Sequence, residues 1–120
     1  MFHTRIDQIT YEDVAAFCKV FPESVRVEYK QDIIKNIPKV ISSFANTVGG
    51  IWVIGVETDK ATNLPKLPLV GMRRRAGIEE QIVQSAQSGI YPPVTPDVRV
   101  LDVPGKPDQM LAGGEGVREY

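Results

Sequence analysis

Three consecutive segments decide the fold of this chain: ESVRVEYK at residues 23–30, IPKVISSFANTVGG at residues 37–50 and IWVIGVETD at residues 51–59. In the first segment apolar residues alternate with charged ones, and this period of two predicts a strand with one buried face. The third segment is apolar over residues 51–56 apart from Gly55, which predicts a central strand covered on both faces, with Trp52 in the core. The stretch therefore predicts a strand, a helix and a second strand.

The middle segment has the apolar spacing of an amphipathic helix. Its apolar residues recur at intervals of three and four, and Pro38 lies in the first turn, where its missing N–H leaves no hydrogen bond unmade. Gly49 and Gly50 are predicted to end the helix, because glycine adopts the left-handed C-cap conformation without a steric penalty. Asn46 is predicted to hydrogen-bond the backbone of the polar connection at residues 30–36, a structural role that groups it with these glycines in a polar cluster, and contact with a ligand is the alternative.

Further elements are predicted on both sides of this stretch. A helix is predicted over residues 10–20, with Thr10 as its N-cap, Asp13 completing a capping box and Cys18 on its apolar stripe. A second helix is predicted over residues 78–88, and strands at residues 67–71, 98–103 and 109–112. This order implies an α+β fold in which a mixed sheet is packed by two or three helices. We expect one domain over residues 1–112 and a loose, glycine-rich tail over residues 113–120.

Composition narrows the function classes. Apolar residues make up 42% of the chain and charged residues 24%, as in an ordinary soluble globular protein. A net charge of −1 argues against a surface coated with basic charge, but it is compatible with a local basic patch. Cys18 and His3 are the single cysteine and histidine, which excludes an internal disulfide, a cysteine-cluster metal site and histidine-based catalysis. Because the sequence has no membrane-length apolar run and no signal-peptide pattern, we expect a cytoplasmic protein without a membrane partner.

The same stretch resembles the Schlafen AlbA-like domain, a family of nucleic-acid-binding modules in bacterial and archaeal regulators and in Schlafen proteins. Its pattern is Glu-x4-Glu-x-Lys, then Ala-Phe-Ala-Asn-Thr-x-Gly-Gly, then an apolar strand closing on Gly-Val-Asp-Asp. ESVRVEYK, SFANTVGG, IWVIGVET and the later IYPPV follow it, so that the resemblance covers about residues 20–103. Ser43 replaces the family's first alanine, and Glu57 and Thr58 replace its Asp-Asp pair, with an acid returning at Asp59.

The resemblance implies a domain that binds DNA or RNA, as the regulatory module of a transcriptional-regulator-like protein. Phosphates are bound by basic side chains, and binding of this kind requires no cofactor. The candidate ligands of phosphate are one basic run and two lysines near the first strand: Arg73, Arg74, Arg75, Lys30 and Lys35. A solvated loop remains the alternative for the arginine run, since short basic runs are common.

A second function implied by the resemblance is a metal-dependent endoribonuclease, because the Schlafen branch cuts RNA at a cluster of acids. By matching position, the catalytic and metal-binding residues would be Glu23, Glu28 and Glu57, with Asp59 as a substitute for the last. Such a site would use Mg²⁺ or Mn²⁺, which carboxylate oxygens prefer to bind. The residues themselves leave open a solvated strand face with exposed ion pairs, and Glu23 falls on the opposite face of a regular strand from Glu28. We expect binding rather than catalysis.

A third function class is an oligomerisation or interaction module. In this alternative a sheet edge or an apolar surface of the domain would form a homodimer. No residue pattern selects the edge, so the alternative depends on the architecture alone.

Overall fold

The described part of the molecule consists of residues 5–24, 26–32, 50–89 and 97–115 in a computed structural model. Its helical elements are a 3-10 turn at Ile6–Gln8, α1 at Tyr11–Val20 and α2 at Ile78–Gly89. Its strands are β1 at Val27–Lys30, β2 at Ile51–Ile54, β3 at Met72–Arg73, β4 at Asp97–Val103 and β5 at Lys106–Glu115. These five strands form one mixed sheet, so the predicted α+β class is confirmed. Most of the predicted helix at residues 37–50 lies outside the described residues.

The order of the strands brings several chain segments to one end of the sheet. β1 pairs in parallel with β2, so both strands run in the same direction and end at Lys30 and Ile54. β5 pairs antiparallel with β4 along one edge, and with β2 and then β3 along the other. β2 ends opposite Ala112 of β5. β3 pairs with Met110 and Gln109, which lie nearer the start of β5 at Lys106. We call this region, where β1 and β2 end and β5 begins, the carboxyl end of the sheet.

Both faces of the sheet are covered by apolar side chains. On one face, strand residues pack against α2, and this cluster contains Trp52, Ile54, Met72, Ile78, Ile82, Met110 and Ala112. On the other face, strand residues pack against α1, and this cluster contains, among others, Val14, Phe17, Cys18, Val27, Tyr29, Ile51, Val53 and Leu111. Every side chain of β2 is therefore buried, as predicted for a central strand. Trp52 is only 2% exposed, which confirms its place in the core.

Cys18 of α1 is fully buried in this second cluster. Burial raises the pKa of its thiol to about 11, and a hydrogen bond with Tyr29 opposes the shift only in part. The thiol is therefore protonated near neutral pH, as expected of a core residue rather than a nucleophile.

The start of α1 carries the capping box that the sequence predicts. The Thr10 hydroxyl accepts a hydrogen bond from the Asp13 N–H at 3.2 Å, and the Asp13 carboxylate accepts one from the Thr10 N–H at 2.9 Å. Two backbone donors at the helix N-terminus are thus satisfied within the chain.

Replacing Thr10 with alanine is expected to lower the free energy of unfolding by about 1 kcal/mol, because the Asp13 N–H loses its acceptor. Chemical denaturation of the two proteins measures the difference. The matched control is Thr10→Ser, which keeps the hydroxyl and should remain within a few tenths of a kcal/mol of the parent. Equal stability of the alanine and parent proteins would contradict the prediction.

The strand predicted at residues 67–71 is wrong. This segment is irregular, and the short strand β3 begins only at Met72. Pro68 has no N–H to donate to a ladder, and Gly71 has a φ of +78°, which turns the chain out of the extended conformation. The segment instead contacts α1, because the Tyr11 hydroxyl donates a hydrogen bond to the Leu69 carbonyl at 3.4 Å.

The predicted loose tail is wrong for residues 113–115, which extend β5 to Glu115. Gly113 and Gly114 have no side chains, and this lets β5 lie close against Trp52. A Cβ atom at Gly113 would lie 2.7 Å from the Trp52 carbonyl oxygen, and one at Gly114 would lie 2.8 Å from the indole ring. The glycine-rich composition therefore reflects close backbone approach rather than looseness. Residues 116–120 lie outside the described part, and the single-domain division stays a prediction.

None of the helices among the described residues is long and apolar enough to cross a membrane.

Candidate nucleic-acid interface

β1 directs Glu28 and Lys30 to the opposite side from its buried residues. Val27 and Tyr29 are buried in the cluster with α1, whereas Glu28 and Lys30 are half-buried on the other face. The Lys30 ammonium lies 2.8 Å from the Glu28 carboxylate. This hydrogen bond, together with the charges of Glu28 and Glu23, raises the pKa of Lys30, although burial opposes the shift. The strand face that the sequence leaves open as solvated thus carries an ion pair that is partly shielded from water.

Glu23 forms hydrogen bonds with backbone groups of two other segments. Its carboxylate accepts a hydrogen bond from the Tyr29 N–H at 3.3 Å, and its own N–H donates to the Asn63 carbonyl at 2.8 Å. Within the described sheet β1 is an outer strand, and the Tyr29 N–H faces away from β2. Glu23 therefore satisfies a backbone donor at the edge of the sheet.

Glu57 and Asp59 belong to the hairpin-like segment that follows β2. The Glu57 carboxylate accepts a hydrogen bond from the Gln31 side chain at 2.8 Å and pairs with the Lys66 ammonium at 3.2 Å. The Asp59 carboxylate accepts from the Ala61 N–H at 2.8 Å, which stabilises the turn. Both acids thus have bonding partners within the chain.

Of the predicted catalytic acids, Glu23 and Glu28 both act electrostatically on Lys30, whereas Glu57 and Asp59 follow β2. All four acids lie in the described part of the chain, where no group of three or more histidine, cysteine or carboxylate side chains has a geometry that could bind a metal ion. In this arrangement Glu23, Glu28 and Glu57 do not fit a shared Mg²⁺ or Mn²⁺. Metal-dependent cleavage stays a prediction from the resemblance.

The three consecutive arginines do not form one cluster. Met72 of β3 faces the α2 core, so the alternation of the strand directs the exposed Arg73 to the other face. Arg74 donates hydrogen bonds to the Pro107 carbonyl and to the Asp102 carboxylate. Arg75 donates one from its backbone to the Met110 sulfur, and its guanidinium lies 3.3 Å from the Gln81 side-chain oxygen of α2. Among the described residues, Arg73 alone of the three has a side chain without a hydrogen bond or ion pair.

Two open depressions lie at the carboxyl end of the sheet. The first is lined by residues at and after the ends of β1 and β2: Lys30, Gln31, Glu57, Thr58, Asp59, Lys60 and Lys66, with the buried Tyr29 and Val56. The second is lined by residues of β3 and of the start of β5: Arg73, Arg74, Lys106, Pro107, Asp108 and Gln109. Six lysines and arginines and three acids from several chain segments line the two depressions, and Glu28 and Asp102 pair with two of these cations.

Lys60, Lys66 and Lys106 are additions to the sequence-based candidates. Lys106 follows the turn of the β4–β5 hairpin, and the Pro-Gly-Lys-Pro motif that predicts this turn was the available signal. Lys60 and Lys66 belong to the segment after β2. Their place beside Lys30 depends on the pairing of β2 with β1, which has no local sequence signal. Of the sequence-based candidates, Lys35, Asn46 and Gly49 lie outside the described residues, and Gly50 directly precedes β2.

Comparison with known families gives a decisive match. A family model described as Schlafen, AlbA_2 matches residues 23–113, about three quarters of the chain. The chain belongs to this family. The matched part of this Schlafen AlbA_2 domain begins at Glu23 and contains β1 to β5 up to Gly113, so it includes both depressions. The resemblance inferred from the sequence is thereby confirmed. No curated protein matches the chain.

Proposed function

We propose that this Schlafen AlbA_2 domain binds nucleic acid through the carboxyl end of its sheet. The observation that supports the proposal is the collection of cations there: Lys30 ends β1, Lys60 and Lys66 follow β2, Arg73 is in β3 and Lys106 begins β5. The cations come from separate segments of a chain with a net charge of −1, and those that no acid pairs with offer the charge that binding to phosphates requires.

The cations of this end differ in their availability to phosphates. Lys30 and Lys66 are paired with Glu28 and Glu57, so a phosphate would compete with a carboxylate for each of them. Arg73, Lys106 and Lys60 are exposed, and their side chains have no hydrogen bond or ion pair with other described residues. We therefore assign the main phosphate contacts to these three. Arg73 offers a planar fork that matches two phosphate oxygens, and the two lysines act as point charges.

The proposed contacts need no cofactor and no particular base sequence, because phosphates are common to all sequences. This type of binding suits a module that positions a larger regulator-like protein on nucleic acid. It also predicts that affinity depends on the backbone of the ligand more than on its bases.

The proposal is tested by measuring binding to short fluorescent oligonucleotides, single- and double-stranded, of DNA and of RNA, over a series of salt concentrations. The logarithm of the association constant should fall linearly with the logarithm of salt, with a slope of about 0.7 per contacted phosphate for single strands. Three contacts then correspond to a slope of about 2 in magnitude. An absence of binding at low salt, or an affinity that does not change with salt, would overturn the proposal.

A further inference from the structure

Arg74 makes more contacts with its neighbours than any other cation at the carboxyl end of the described sheet. Its Nε donates to the Pro107 carbonyl at 3.0 Å, and its Nη2 donates to the Gln109 carbonyl at 3.2 Å and to the Asp102 carboxylate at 2.5 Å. Its backbone N–H also donates to the Asp108 carbonyl at 2.8 Å. We call this set of contacts the Arg74 bridge.

The Arg74 bridge connects three strands. Arg74 directly follows β3, its carbonyl acceptors lie in the first half of β5, and Asp102 lies in β4 on the far side of β5. The guanidinium therefore extends from one edge of β5 to the other. It links both arms of the β4–β5 hairpin next to its turn at residues 104–105, beside Lys106.

The bridge uses the donors that a phosphate would need. A guanidinium binds an oxyanion best through two parallel N–H groups, and the Nε and Nη2 groups of Arg74 are directed to protein oxygens. Two of these acceptors are carbonyls, which cannot move away without breaking the strand. Arg73 and Lys106, on either side of the bridge, have no such partners among the described residues.

We propose that Arg74 is a positioning residue of the nucleic-acid interface: it fixes the hairpin that carries Lys106 against β3, which carries Arg73, and contacts no phosphate itself. This inference rests on the proposed function. Its physical basis is preorganisation, since side chains on a hairpin that is already ordered lose less entropy when they bind a ligand.

A matched pair of substitutions separates positioning from charge. Asp102→Asn and Asp108→Asn each remove one exposed carboxylate from the same end of the molecule. If only charge mattered, both would tighten binding. The Asp102 carboxylate belongs to the bridge, whereas the Asp108 side chain has no hydrogen bond or ion pair within the described residues. We expect Asp108→Asn to tighten binding about twofold, by removing a repulsion. Asp102→Asn should instead weaken binding roughly two- to tenfold, the cost of ordering side chains at an interface.

Arg74 itself provides the second measurement. Arg74→Gln and Arg74→Lys should weaken binding to a similar extent, because lysine keeps the charge but lacks the fork of donors that forms the bridge. Both should leave the salt slope unchanged, because Arg74 contacts no phosphate in this proposal. If Arg74 is a phosphate ligand instead, Arg74→Gln lowers the slope by about 0.7 for single strands, and Arg74→Lys restores most of it. That result, or tighter binding by Asp102→Asn, would overturn the proposal.

Amide hydrogen exchange without nucleic acid distinguishes a failure of this inference from a failure of the proposed function. Exchange in residues 104–109 should rise in Arg74→Gln and Asp102→Asn and remain at the parent level in Asp108→Asn. Unchanged exchange in all three variants overturns the bridge even if the domain binds nucleic acid. If no protein in the series binds, the proposed function fails, and with it the positioning role of Arg74.

Discussion

Replacing Gly114 with alanine is expected to lower the free energy of unfolding by about 3 kcal/mol or more, because the site has no room for a methyl group. The added Cβ would collide with the backbone oxygen of Asp97 in β4 and would lie 2.8 Å from the Trp52 ring. The backbone oxygen belongs to a paired strand, and Trp52 is 2% exposed in the core, so neither neighbour can move freely. Since a domain of this size has a total stability of roughly 5–15 kcal/mol, the loss is a large fraction.

The control for this substitution is Gly105→Ala in the β4–β5 turn. Gly105 has a φ of +75°, but a Cβ there would have no atom within 4 Å. Alanine at Gly105 should therefore cost only the conformational penalty, about 1 kcal/mol. Urea denaturation of both variants measures the difference between a steric and a conformational cost. A Gly114→Ala protein as stable as the Gly105→Ala protein would contradict the close packing of β5 against Trp52.

Removing the two unpaired cations of the second depression is expected to have the largest effect on nucleic-acid affinity. Arg73→Gln should reduce the salt slope for single strands by about 0.7, and adding Lys106→Gln should reduce it by about 1.4 in total. At moderate salt the double variant should bind about tenfold more weakly than the parent, because two fewer counterions are released. Stability should change little, since both side chains are exposed and unpaired within the described residues.

Arg26→Gln is the matched control for Arg73→Gln. Arg26 is exposed and directly precedes β1, at the opposite end of the sheet from Lys30. Arg26→Gln removes the same charge as Arg73→Gln, so an effect of net charge alone would appear equally in both variants. The proposed interface predicts an unchanged salt slope for Arg26→Gln. Equal losses in the two variants would contradict the assignment of the interface to the carboxyl end.

Local sequence signals were sufficient for the elements that depend on neighbours in the chain. The alternation around Val27 and Tyr29 predicts the buried face of β1, and the spacing of Thr10 and Asp13 predicts the capping box. The apolar run from Ile51 predicts a strand buried on both faces. Each of these patterns has a period, a spacing or a length that fits one type of secondary structure.

Features that depend on distant pairing could not be predicted in the same way. Glu57 is hydrogen-bonded to Gln31, 26 residues away in the sequence, and Arg74 to Asp102, 28 residues away, so neither contact has a local sequence signal. The division of the three arginines depends on the register of β3 against β5, which places Met72 opposite Met110. The glycines at the end of β5 predict a loose tail, because composition alone cannot distinguish a flexible segment from one packed against an indole ring.

The bond between Glu23 and the Tyr29 N–H has a consequence for self-association. Unpaired strand edges are where sheets of separate molecules join and where aggregation begins. A strand arriving at β1 would have to displace a carboxylate that already accepts this N–H, and would then leave that charge without its partner. We therefore expect the Glu23 carboxylate to disfavour the addition of a β-strand along β1.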